Sequence, residues 1–129
     1  MKRLFILLTA ALMSIGMMAA EYVGTMQVEG GYTQKNVRVT MDTQGNLTLY
    51  NVKFALLMPV RVDVRIPGIK QKADRISCVL TTPYVDDKPQ PKRYVSELRG
   101  TITPFNFSFS CLMGGKRIHY SGQVPHKGQ

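Results

Sequence analysis

FNFSFSCL, residues 105–112, sets rings or sulfur at Phe105, Phe107, Phe109 and Cys111 and polar side chains at Asn106, Ser108 and Ser110. Successive side chains of an extended strand point to opposite faces, so this stretch has one apolar and one polar face. Met113-Gly114-Gly115-Lys116 follows, then RIHYSGQV (117–124). A Gly-Gly pair suits a primed hairpin turn, whose central residues need positive φ. Counting outward from it puts Cys111 opposite Ile118, Phe109 opposite Tyr120, Phe107 opposite Gly122 and Phe105 opposite Val124. On the other face Ser110 meets His119 and Ser108 meets Ser121. A slip by one residue would turn half of the apolar set to water, which fixes the register. Gly122 leaves room for the ring of Phe107.

The same pattern extends upstream. EYVGTMQVE (21–29) and YTQKNVRVTM (32–41) flank Gly30-Gly31, which sets Gly24 opposite Val37 and Tyr22 opposite Val39 and leaves Lys35 facing inward near the turn. DTQG (42–45) is a four-residue turn leading to NLTLYNV (46–52), with Leu47 and Leu49 inward. KFALLM (53–58) stops at Pro59 and reads as a strand extension, a short helical turn or a lid. VRVDVRI (60–66) puts Val60, Val62, Val64 and Ile66 on one face and Arg61, Asp63 and Arg65 on the other. DRISCVLTT (74–82) turns Ile76, Cys78 and Leu80 inward. PYVDDKPQPKR (83–93) is one long loop, with Asp86-Asp87 as a solvated turn. In YVSELRGTI (94–102) the apolar Val95, Leu98 and Ile102 do not share one parity, which predicts a bulge.

The chain of 129 residues opens on MKRLFILLTAALMSIGMMAA: a cationic head, an apolar run and small residues at Ala19 and Ala20. Residues 1–20 read as a secretory signal peptide, leaving a domain at 21–125 and a loose tail at 126–129. Removing Lys2 and Arg3 with that leader takes the formal charge from +9 to +7. A basic chain exported to the periplasm or beyond can meet an anionic envelope surface; with the charges scattered along the sequence, solubility is the simpler reading. The densest basic group, KPQPKR (88–93), is too short and too rich in proline for a nucleic-acid patch, so no nucleic acid is expected. Export permits a disulfide between Cys78 and Cys111, worth about 3–4 kcal/mol in the chain-entropy model. Two buried thiols acting as small hydrophobes are the alternative.

Eight candidate strands with short turns predict an all-β fold: a small closed eight-stranded antiparallel up-and-down barrel, closed by pairing the last strand with the first. A two-sheet sandwich is the alternative. A membrane barrel, with the phenyl groups facing lipid, is disfavoured because few strands reach the roughly 9–11 residues needed to span and Trp is absent. No transmembrane span is expected in the mature chain. EYVGTMQV, the D-x-x-G turn with NLTLYNV, PVRVDVRIPG, LRGTI and the closing IHYSGQV resemble the bacterial exported calycin-like (lipocalin-like) β-barrel domain family over nearly all of residues 21–125. The resemblance implies a small barrel with a ligand in its mouth and brings no catalytic residues.

Chemistry is sparse. Ser110 opposite His119 has no acidic residue evidently placed behind the histidine and reads as an ordinary cross-strand pair. His119 and His126 form no ligand cluster with either cysteine, so no metal and no cofactor is expected. What remains is an inward set that either lines a pocket for a small apolar or amphipathic ligand or simply fills the core: Met41, Leu47, Leu49, Val62, Val64, Phe107, Phe109 and Tyr120, with Phe54, Leu56 and Met58 as a gate. The sequence therefore predicts an exported non-enzymatic binding module. A protein-interaction or envelope module of inhibitor or adhesin type, with a filled core, is the alternative.

Overall fold

The computed structural model describes residues 20–54 and 59–125. The expected leader (except Ala20), Leu56, Met58 and the tail lie outside the described residues. The described residues form β1 (Ala20–Val28), β2 (Tyr32–Met41), β3 (Leu47–Val52), β4 (Val62–Ile66), β5 (Lys70–Lys72), β6 (Arg75–Thr81), β7 (Tyr84–Val85), β8 (Lys88–Pro89), β9 (Val95–Ile102), β10 (Asn106–Met113) and β11 (Lys116–Gln123), with a 3-10 turn at Pro91–Arg93. The eight expected strands are all present. β5, β7 and β8 are additional, and the last two turn the expected long loop into a small ribbon around Asp86-Asp87.

The closed eight-stranded barrel does not form. The strands make one open, curled eleven-stranded sheet in the order β5-β6-β9-β10-β11-β1-β2-β3-β4-β7-β8. The expected closure of last strand on first is present, as the ladder of β11 on β1. The opening lies elsewhere. An up-and-down barrel needs β4 to pair with β6, but β4 has five residues and its free edge takes the β7–β8 ribbon. β6 instead carries the three-residue β5 on its outer edge. The corner 67–69 joins these two flanks, tied to the β2–β3 turn by Ile69 N–H donating to Gly45 O at 3.0 Å.

The closing hairpin has the register expected. Phe107 is opposite Gly122, Phe109 opposite Tyr120 and Cys111 opposite Ile118, about a turn with φ of 58° at Gly114 and 86° at Gly115. Two details differ. The ring covering Gly122 is that of Tyr120, whose Cζ would lie 2.8 Å from a Cβ there. Phe105 precedes the strand and is exposed rather than inward.

The first hairpin differs more. Its loop spans three residues, Val28 pairs with Tyr32, and a bulge between Gly24 and Met26 absorbs the extra residue, with Asn36 at φ 60°. The bulge restores Gly24 opposite Val37 as expected, but it turns Lys35 out to water and Gln34 in. Gln34 is buried and satisfied: its Nε2 donates to Asn51 O at 2.9 Å and its Oε1 accepts from Lys53 N–H at 3.0 Å. The bulge expected in β9 is present, with Glu97 at φ 52°.

The inward faces share one apolar core. Its centre is an aromatic cluster in which the Phe107 ring lies 5.2 Å from Tyr22, 5.3 Å from Phe109 and 6.0 Å from Tyr120. These are favourable ring–ring separations. Both tyrosines reach backbone acceptors at the core margin: Tyr22 donates to Thr103 O at 2.6 Å and Tyr120 to Val37 O at 3.0 Å.

Candidate functional site

The inward residues are the first candidates. Met41, Leu47, Leu49, Val62, Val64, Phe107, Phe109 and Tyr120 are all buried and belong to one packed cluster. Phe54 packs on its edge and borders a shallow groove beside Gly30, Tyr32 and Lys116, at the end of the sheet and not over a central cavity. The structure thus brings the described members of the expected set into one buried cluster, with Phe54 at its edge.

Burial also decides the titratable groups inside. Cys78 and Cys111 are buried free thiols. Cys78 lies opposite Leu98 of β9, and Cys111 lies across β9 at its bulge. Two strand spacings, about 9–10 Å, exceed the roughly 7 Å that a disulfide bridges. Burial pushes the Cys111 thiol up to about 12 and raises Cys78 as well, so neither is a thiolate nucleophile near neutral pH. Burial raises the Tyr120 phenol too, which keeps it a hydrogen-bond donor.

The outer face of β5, β6, β9, β10, β11 and β1 offers more. Two rows of side chains cross these six strands on it. One row is Thr25, Ser121, Ser108, Thr101, Arg75 and Lys72. The next is Gln27, His119, Ser110, Arg99, Ser77 and Lys70. All twelve are polar and none is acidic. A groove of about 590 Å³ runs over the β1 to β9 part, and a second, also about 590 Å³, continues it over β6 and β5, sharing Arg99, Gly100 and Thr101. At one strand spacing per step the rows extend roughly 24 Å.

Ser110 and His119 sit directly opposite each other in this groove, flanked by Arg99 and Gln27. No carboxylate stands in that row, so nothing in it orients the imidazole as a triad does. Among the described residues no three His, Cys, Asp or Glu side chains group to hold a metal ion. The arrangement can donate and accept hydrogen bonds along a line and can attract negative charge at one end.

Lys70, Lys72, Arg75, Arg99 and Thr101 went unnoticed in the sequence. The signal was there: Arg75 and Ser77 have outward parity in DRISCVLTT, as do Arg99 and Thr101 in LRGTI. Pairing those strands in register would have gathered them. No helix of the described chain is long and apolar enough to cross a membrane. No protein-family model matches the chain, and no curated protein or solved structure matches it either.

Proposed function

We propose that this chain is an exported, non-enzymatic binding module that meets an extended polar ligand on the outer face of its sheet. The observation that carries this reading is the continuous groove over two rows of hydroxyl, amide and basic side chains. The export reading rests on the leader-like residues 1–20. The apolar interior, the other place to put a ligand, has its candidate residues packed on one another.

Thr101 lies exposed in the middle of the groove, where a tyrosine would fill it while suiting a strand. The test screens the purified chain and its Thr101→Tyr variant against an array of polysaccharides, neutral and acidic. A fluorescent fatty-acid analogue is titrated in parallel. The expected result is polysaccharide binding that Thr101→Tyr removes at unchanged melting temperature, with no saturable uptake of the analogue. Stoichiometric uptake of the analogue, or binding indifferent to Thr101→Tyr, returns the site to the interior or to another surface.

A further inference from the structure

Resting on that outer-face reading, we infer that the ligand is a polyanionic polysaccharide, and that Lys70, Lys72, Arg75 and Arg99 are the side chains that hold its acidic groups.

The cations are placed against ordinary sheet practice. Lys72 and Arg75 are directly opposite across the β5–β6 ladder, and Lys70 and Arg99 flank Ser77 from either side. Like charges directly opposite on a sheet repel, and a face built only for solubility intersperses the two signs. All four are exposed, and among the described residues none forms an ion pair. Asp74, next to Arg75 in the turn, makes no bridge to them, and Glu97 faces Arg117 at 3.7 Å instead. The cluster sets four cations against the unbridged carboxylate of Asp74, a site of net positive potential, and a bound anion would relieve its repulsion.

The rest of the groove says what kind of anion. Beyond the cations the rows present Thr101, Ser108, Ser110, Ser121 and Thr25, hydroxyls that both donate and accept. That matches a chain of sugar hydroxyls interrupted by carboxylate or sulfate. No row residue is aromatic, so the rows offer no platform on which unpaired bases could stack. None is aliphatic either; the exposed Val79 of β6 lies one step beyond them. A neutral glycan would leave the four cations without a use.

The experiment measures affinity for dextran sulfate, polygalacturonate and neutral dextran at low and at physiological ionic strength. It uses the native chain, the double variant Lys72→Ser/Arg75→Ser, Arg99→Gln, Thr101→Tyr, and a control, Lys88→Ser/Lys92→Ser, that removes the same charge far along the chain. The acidic chains should bind and neutral dextran should not, with affinity falling as salt rises. The double variant should lose about tenfold and Arg99→Gln about threefold, as expected for exposed charge contacts. The control should match the native chain.

Equal binding of neutral dextran, unchanged by the cation variants but abolished by Thr101→Tyr, overturns the polyanion and leaves the outer-face reading standing. Binding of the acidic chains that ignores Thr101→Tyr, or no binding by any of the three, overturns both. Tighter binding to duplex DNA or to phosphatidylglycerol vesicles, lost in the same cation variants, keeps the cluster and overturns the polysaccharide.

Discussion

The two halves of the outer surface treat their arginines differently. On the β1–β4 half each strand arginine is engaged within the protein. Arg38 bridges Glu21 at 2.9 Å and lies 4.3 Å over the ring of Tyr50, its neighbour across the ladder. Arg65 lies 4.3 Å over Tyr84, again directly opposite. Asp63, between two arginines in sequence, accepts from Asn51 N–H at 2.8 Å and supports the kink there. On the β5–β6–β9 half Lys70, Lys72, Arg75 and Arg99 have no such partners among the described residues. The first arrangement stabilises the fold; the second leaves charge available to something outside it. Cross-strand position separates the two arrangements.

The largest perturbation removes what both halves stand on. Phe107 touches three other rings in the core. Phe107→Ala should cost about 3–5 kcal/mol in urea unfolding, enough to leave a small domain largely unfolded. A loss under about 1 kcal/mol would mean that the centre of the sheet is not tightly packed. Next is Gln34→Ala, which removes the acceptor for Lys53 N–H and the donor to Asn51 O. Its expected cost is about 2 kcal/mol, confined to the β1–β4 half and visible as faster amide exchange at Lys53.

A pair of variants separates engaged from unengaged arginines. Arg38→Ala should lower stability by about 1 kcal/mol, since it loses a surface ion pair and a ring contact together. Arg75→Ala should change stability by less than about 0.5 kcal/mol, and toward greater stability, because it removes repulsion with Lys72. Equal losses from both variants would erase the distinction between engaged and unengaged charge.

The smallest effect concerns pH. Burial raises the Asp42 carboxyl, but hydrogen bonds from Asn46 and Gln44 and the charge of Arg65 outweigh it, so the net shift is downward. The folded state thus holds the ionised form better than the unfolded chain does. Its contribution is present above the ordinary carboxylate range and is lost as pH falls through the lowered folded value. The stability gap between the native chain and Asp42→Ala should therefore be constant near neutrality and shrink in acid. A gap that widens in acid contradicts the stated direction.

How much of this was legible depended on what each feature required. The closing hairpin was readable because FNFSFSCL and IHYSGQV leave a single register that buries Phe107, Phe109 and Tyr120 together. The β9 bulge was readable because Val95, Leu98 and Ile102 break parity. The bulge in β1–β2 was not: Lys35 and Gln34 are both polar, so the pattern was silent on which turned inward. Closure failed on a similar ground. Whether β4 meets β6 or the β7–β8 ribbon depends on three very short strands, two of them in a proline-rich stretch read as a loop. The cationic cluster was hidden for the same reason: Lys70 and Lys72 become neighbours of Arg75 and Arg99 only once β5 exists as a strand.

The most direct test is a map of backbone amide shifts on an isotope-labelled chain titrated with dextran sulfate. The shifts should concentrate on Lys70, Lys72, Arg75, Ser77, Arg99 and Thr101 and leave the amides of Arg38 and Arg65 unmoved. Shifts centred on Arg38 and Arg65, or on Phe107 and its ring neighbours, would contradict it.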